Sequence, residues 1–336
     1  MEYRRLGNSA LKVSPICLGT MNFGARTNFA AAEQIVKSAF EAGINFIDTA
    51  DVYVKGESER IVGQLVAPNR EHWVLATKVA NRMGSGPNET GLSRKHIMHA
   101  IEQSLARLGT DYVDIYYLHW DDPSANLGEA FEAMADLVAC GKVHYVGLSN
   151  FRGWRIAEAV HLCRSEGFAV PVVCQPYYNA MNRMPEVEIL PACSHYGLGV
   201  VPYSPLARGV LTGKYSTGDA PPEDSRAARK DKRMMETEFR PESMEMAQAI
   251  VRHAAARGIT GGQFAINWVL NNRIVTSALA GPRTLEHWTE YLGALSHAFT
   301  AEDEALVDGL VKPGHPSTPG YTDPRYPLSG RLPASA

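Results

Sequence analysis

The stretch at residues 44–63, INFIDTADVYVKGESERIVG, decides the fold. Its first residues form an apolar run that stops on Asp48, and after a short loop the pattern becomes that of a helix beginning near Glu57. A continuous apolar run of this length reads as a strand buried on both faces, the habit of parallel sheets covered by helices. The same grammar recurs along the chain: HWVLATK stops on Lys78, VDIYYLH on His119, VHYVGLSN on Asn150, VVCQ on Gln175, and LGVVPYS on Tyr203 and Ser204. Polar groups at one end of several parallel strands share one face of the sheet. That is the face on which α/β proteins bind and react.

Eight strand-like runs can be counted: PICLGT, INFIDTA, WVLATK, VDIYYLH, VHYVGLS, VVCQ, GVVPYS and VTSALAG. Eight helix-like stretches alternate with them, each unit having the size of a strand plus its crossover helix. Ahead of the first run, YRRLG and LKVSP read as a short β-hairpin around Gly7 to Ala10. The expected fold is therefore α/β, a (β/α)8 TIM barrel with a short N-terminal β-hairpin. Such a closed barrel gives every crossover the same hand and leaves no strand edge open. An open doubly wound sheet normally carries G-x-G-x-x-G after its first strand, and GTMNFG at residues 19–24 does not match.

One barrel domain is expected over residues 1–310, with ligands at its C-terminal face. A Pro/Gly-rich tail follows over 311–336, either disordered or draped over the body with Tyr321 and Tyr326 as anchors. The long connection from Leu206 to Pro241 reads either as a solvated charged loop or as a flap over a ligand.

The formal net charge is −3 with 21% charged residues and no long run of one sign, so nothing draws the chain to nucleic acid or an anionic membrane. A small-molecule partner is expected. No stretch approaches the roughly 18 apolar residues of a membrane span, and the first residues lack the apolar core of a signal peptide, so a cytoplasmic location is expected. Five scattered cysteines without a C-x-x-C pair suggest neither a disulfide framework nor a thiolate metal site. They read as small buried apolar residues. His96 and His99, one helical turn apart, lack a carboxylate partner at suitable spacing, and no metal is expected.

Asp48, Tyr53, Lys78 and His119 carry chemistry if their strand ends converge. A phenol with its ordinary pKa of about 10 is protonated at neutral pH and can donate a proton. A lysine ammonium beside it makes that proton easier to give away. Asp48 would keep Lys78 charged and oriented, and a neutral His119 could direct a ring N–H at a carbonyl oxygen where negative charge develops. The set suits carbonyl reduction, yet no side chain supplies hydride. A nicotinamide cofactor is required.

From about Tyr3 to Leu295 the chain resembles the aldo-keto reductase superfamily, whose barrel binds NADPH without a Rossmann domain. The most diagnostic string is INFIDTADVYVKGESERIVG, which resembles the family's strand and loop carrying the catalytic Asp and Tyr, here Asp48 and Tyr53. LATK supplies the family's Lys as Lys78, and DIYYLHW its His as His119. The resemblance implies that Ser149, Asn150 and Gln175 hold the nicotinamide carboxamide and that Tyr203 stacks on its ring. It places Ser204, Pro205, Leu206 and Gly209 along the pyrophosphate with Lys214 beyond them. Gly19, Thr20 and Met21, together with Asp48, are expected to border the cofactor from the first two strands.

At the adenosine end, AGPRTLEHWTEYL supplies Gly281, Arg283 and Glu290, while His287 stands where the family usually has Gln and Tyr291 where it has Asn. Arg283 at a helix N-terminus suits a 2′-phosphate, which favours NADPH over NADH. The substrate is expected against Phe23, Tyr53, His119 and Trp120, with Met21, Asn22 and Tyr178 nearby. Such a chain reduces an aldehyde or ketone. Two other functions remain open: an NADPH-binding regulatory partner of a membrane channel, as some relatives of the superfamily are, and a dehydrogenase of a sugar or secondary alcohol.

Overall fold

The computed structural model describes residues 1–327. Two strands, β1 (Arg4–Arg5) and β2 (Lys12–Val13), form the antiparallel hairpin, with Arg4 opposite Val13. Gly7, at the turn, has φ +56°, and a Cβ there would lie 2.5 Å from the Gly197 carbonyl oxygen. Only glycine lets the turn press this closely against the barrel floor.

Eight parallel strands follow: β3 (Ile16–Gly19), β4 (Phe46–Asp48), β5 (Val74–Val79), β6 (Val113–Leu118), β7 (Val143–Ser149), β8 (Val173–Gln175), β9 (Gly199–Val200) and β10 (Ala278–Ala280). They pair in chain order from β3 to β9, and β10 pairs with β3. The remaining seam is closed by bridges of Val200 to Val275 and Tyr203 to Leu279, with the Leu279 N–H donating to the Pro202 carbonyl at 3.0 Å. The barrel is complete.

Two apolar cores result. A small one fills the barrel interior with Cys17, Phe46, Ala76, Ile115, Tyr117 and Val173, and the hairpin adds Leu6 and Val13 from below. A larger one lies between strands and helices. The bottom is thus plugged, and the open end is the one where the strands finish on polar residues.

The eight expected helices are α1 (Phe29–Glu41), α2 (Glu57–Val66), α3 (Arg94–Leu108), α4 (Leu127–Ala139), α5 (Gly153–Glu166) and α6 (Ile189–Tyr196), then α9 (Gly261–Asn271) and α10 (Leu285–Gly293). Ser93 caps α3, its side chain accepting from the His96 N–H at 3.3 Å. Three further helices lie outside that count: α7 (Lys232–Thr237) and α8 (Pro241–Ala256) between β9 and α9, and α11 (Ala301–Leu310) near the end. Pro241 opens α8 at a position where its missing N–H costs nothing, and Met244, Ala247, Ile250 and Ala254 are its buried face. Four of the five cysteines are buried as expected, but Cys140 is exposed because it caps the end of α4.

Beyond α11 the chain runs back along the barrel. Asn182 pairs with Pro316, the Ser317 N–H donates to the Met181 carbonyl at 2.9 Å, and Arg240 lies 3.8 Å over the Tyr321 ring. Residues 328–336 of the expected tail lie outside the described residues.

Candidate active site

The eight barrel strands bring to the open end Gly19, Asp48, Lys78, His119, Ser149, Gln175, Tyr203 and Gly281, six polar side chains and two glycines. All of them but Lys78 line a cavity of about 480 Å³. Tyr53 reaches it from a loop. The chain after β4 makes a 3-10 turn over Tyr53–Gly56 in which Val54 (φ 50°) and Lys55 (φ 55°) are left-handed. For a β-branched residue this conformation is strained, and strain of this kind gathers where a side chain must be aimed.

Lys78 and Asp48 are 0% and 1% exposed. The Lys78 ammonium donates to Asp48 Oδ1, to the Thr49 carbonyl at 2.7 Å and to the Tyr53 hydroxyl at 3.4 Å. The other Asp48 oxygen accepts from Gln175 Nε2 at 3.0 Å. Burial alone would discharge the lysine, but Asp48 and Tyr53 outweigh it and hold its pKa above the ordinary lysine value. It stays a cation.

Tyr53 departs from the expectation that Lys78 would lower its pKa. Burial pushes the phenol up by more than Lys78 pulls it down, because taking a phenolate out of water is costly even beside one ammonium. The hydroxyl therefore holds its proton throughout the physiological range. The ring of His119 meets that of Tyr53 edge-on at 5.9 Å and 82°. Burial, then the charges of Lys78 and Arg325, drive its pKa well below the usual histidine value. The imidazole is neutral, as expected.

The residues expected to hold a nicotinamide are hydrogen-bonded into the same network. Asn150 Nδ2 donates to the His119 carbonyl at 2.9 Å, its Oδ1 accepts from the Tyr203 hydroxyl at 2.9 Å, and Ser149 Oγ donates to the Gln175 carbonyl at 3.0 Å. Tyr177 covers Tyr203 with near-parallel rings at 5.5 Å and 24°. Behind it the buried Glu238 carboxyl accepts from the Tyr177 hydroxyl and from Asn179 Nδ2.

Thr20, Met21, Ser204, Pro205, Leu206 and Gly209 line the cavity wall, as do Lys214, Arg283, His287, Glu290 and Tyr291 at its far end. There His287 and Tyr291 present nearly parallel rings at 6.4 Å and 8°. Lys214 shares this end with Arg226 and Arg283; desolvation first, and then those two like charges, push its pKa down.

Three substrate expectations are corrected. Phe23 is 0% exposed and packs in the outer core, because its strand-end neighbour Asn22 takes the place on the cavity wall. Trp120 is half-buried against the same core and does not line the cavity, and Tyr178 is buried against Trp268. The cavity also has walls that strand-end reasoning did not find. The 206–241 connection supplies Arg208, Thr212, Arg226 and Arg233, the loop after β5 supplies Asn81, and the C-terminal segment supplies Arg325 and Tyr326.

One buried acid stands beneath the Tyr53 loop. Asp51 is 1% exposed and neither of its oxygens has a side-chain partner. Burial, with the nearby Glu59 charge, pushes its pKa up to about 8. Among the described residues, no group of three or more His, Cys, Asp or Glu side chains is arranged to hold a metal, and no helix is long and apolar enough to cross a membrane.

A parallel barrel whose open end joins a phenol, a buried ammonium and a neutral imidazole defines an oxidoreductase that works on carbonyl or alcohol groups. The profile of the aldo/keto reductase family matches residues 15–312. An uncharacterized oxidoreductase, YrpG, of Bacillus subtilis (strain 168) is 37% identical over 97% of this chain and 99% of its own. A probable voltage-gated potassium channel subunit beta of Oryza sativa subsp. japonica is 35% identical over 96% of this chain and 100% of its own. The L-glyceraldehyde 3-phosphate reductase of Escherichia coli (strain K12) is 33% identical over 94% and 93%. The chain belongs to the aldo/keto reductase family.

Proposed function

We propose that this protein reduces an aldehyde or ketone to an alcohol with NADPH, Tyr53 delivering the proton. The observation that carries the reading is the buried Lys78 ammonium, which touches both Asp48 and the Tyr53 hydroxyl at the foot of the cavity. When bound, NADPH supplies hydride to the carbonyl carbon.

The residues present fit that cofactor. Lys214, Arg226 and Arg283 gather three positive charges at one end, and although Arg226 is paired with Asp231 at 3.1 Å the excess of positive charge suits an anion such as a 2′-phosphate. Tyr203, backed by Tyr177, offers a flat face for the nicotinamide, with Ser149, Asn150 and Gln175 beside it. Ser204, Pro205, Leu206 and Gly209 would follow the pyrophosphate, where Ser204, Ala207, Arg208 and Gly209 all have positive φ and curl the backbone. Gly19, Thr20, Met21 and Gly281 complete the wall, and His287, Glu290 and Tyr291 would face the adenosine.

His119, neutral, orients the carbonyl oxygen by a hydrogen bond whose strength grows as negative charge gathers there. Tyr53 transfers its proton to that oxygen while Lys78 stabilises the phenolate left behind. Asp48 and Gln175 keep the ammonium in place. The raised pKa of Tyr53 supports its role as donor, since the phenol is fully protonated before the step. Tyr53→Phe is expected to bind NADPH normally and to lose on the order of 10²-fold or more in turnover. Wild-type turnover in that variant would remove Tyr53 from the reaction.

The relative named as a probable potassium channel subunit beta supports a second reading, in which the protein binds the cofactor chiefly as a partner of another protein. NADPH oxidation with a panel of aldehydes and ketones separates the two: tight binding without turnover favours the partner.

A further inference from the structure

Six cationic side chains line the cavity: Arg208, Lys214, Arg226, Arg233, Arg283 and Arg325. Five of them have an assigned role or a counter-charge. Lys214, Arg226 and Arg283 gather at the end proposed for the cofactor phosphate, and Arg226 is also paired with Asp231 at 3.1 Å. Arg208 donates from Nε to Thr237 Oγ1 at 3.1 Å, and its charge acts on the buried Glu238 carboxyl next along the chain. Arg233 is gripped by Asp323 through two hydrogen bonds of 2.9 and 2.6 Å and by Glu236 at 3.0 Å.

Arg325 differs. Among the described residues no carboxylate is within ion-pair distance of it, and its side chain makes one hydrogen bond, from Nη2 to Asn81 Oδ1 at 3.1 Å. Arg325 is exposed, but the backbone that carries it is fastened on both sides. Asp323 holds Arg233 before it and accepts the Arg325 backbone N–H at 2.9 Å. Arg152 donates to the Tyr326 carbonyl at 2.6 Å and the Pro327 carbonyl at 3.0 Å after it.

The charge is delivered to the reacting end of the cavity. It reaches the His119 ring strongly enough to add to Lys78 in opposing protonation there. Its partner Asn81 comes from the loop just past Lys78, so the pair spans the mouth on the side of Tyr53 and His119. Asn81 uses its oxygen on Arg325, which leaves its amide N–H donors free of any side-chain or backbone acceptor among the described residues. A guanidinium and a carboxamide side by side then present a set of N–H donors with net positive charge and no anion to receive them. Such a fork matches the oxygens of a carboxylate or phosphate.

We propose that Arg325 and Asn81 form an anion-recognition subsite, so that the preferred substrates are carbonyl compounds carrying a carboxylate or phosphate a few atoms from the reacting carbon. The inference rests on the carbonyl-reductase reading above. It makes the C-terminal segment a determinant of specificity and not only a cover, since the substrate's anion replaces the missing counter-charge.

Two matched pairs test it and tell the anions apart: 4-oxobutanoate against its methyl ester, and glyceraldehyde 3-phosphate against glyceraldehyde. Wild type is expected to favour the charged member of at least one pair in kcat/KM. In Arg325→Ala the ratio of charged to uncharged kcat/KM should fall by about tenfold to a hundredfold, the value of one charged hydrogen bond, with the loss chiefly in KM. Arg325→Lys should retain part of the ratio. No preference in either wild-type pair, or an unchanged ratio in Arg325→Ala, overturns the proposal. Succinate binding to the NADP+-loaded protein, read by intrinsic fluorescence, gives an answer that does not need turnover. A tenfold or greater weakening in Arg325→Ala supports the subsite, and equal affinity in the two proteins refutes it. If none of the four aldehydes is reduced, the reductase reading fails while the succinate titration still decides the subsite.

Discussion

Lys78→Met separates what the buried cation does for the fold from what it does for the reaction. In the native protein the ammonium satisfies Asp48, the Thr49 carbonyl and the Tyr53 hydroxyl where water does not reach. Methionine fills nearly the same volume but strands the Asp48 carboxylate with Gln175 Nε2 as its remaining side-chain donor. Removing one partner of a buried pair costs about 3–5 kcal/mol, because the other charge stays behind in a poor solvent. The carboxylate will shed part of that cost by taking up a proton.

Adding Asp48→Asn to Lys78→Met removes the stranded charge and should restore about 2 kcal/mol or more of the loss, a strongly non-additive pair. Turnover should not return in either variant, since Tyr53 has lost the cation that stabilises its phenolate. The assay is urea unfolding by intrinsic fluorescence with linear extrapolation, beside NADPH oxidation on the same preparations. A loss below about 1 kcal/mol in Lys78→Met, or a double variant as unstable as the sum of the two singles, would refute a buried ionic pair.

The remaining predictions concern charge at two other places. Lys214→Met and Arg283→Ala should each weaken NADPH by about ten- to a hundredfold and change NADH little, as read by quenching of protein fluorescence; equal loss for both cofactors would falsify the phosphate role. For Asp51, the folded pKa of about 8 lies above the unfolded carboxylate value, so its contribution to stability is full below about pH 4 and is lost as pH rises through about 8. Asp51→Asn has no such slope, and its stability relative to wild type should rise between pH 5 and pH 9 by roughly 4 kcal/mol; parallel stability curves would exclude a neutral Asp51.

The barrel was legible in the sequence because each strand is apolar on both faces, a pattern that survives without knowledge of any partner. The polar residues that end those strands were equally visible, since a charged or amide group closing an apolar run stands out. Tyr53 belongs to a turn and ends no strand, and was found through the resemblance of INFIDTADVYVKGESERIVG to the family's strand and loop. Phe23 misled because residues 20–23 leave the strand in a turn, and adjacent side chains there point to opposite sides of the wall. Arg208, Arg226, Arg233 and Arg325 stayed hidden for a different reason: they lie in irregular segments where no period relates a residue to the cavity. The α8 helix was visible in principle, with Pro241 at its start and an apolar face behind it, but the charged connection before it obscured the boundary.

The hairpin at the barrel floor has a practical consequence. Leu6 and Val13 plug the interior at the end opposite Tyr53, and Gly7 sits against the starts of β8 and β9. A handle attached ahead of Tyr3 therefore emerges on the far side of the molecule from the cavity. Protein tethered to a bead or an electrode by that handle would stand with its mouth toward the solution, every molecule facing its substrate.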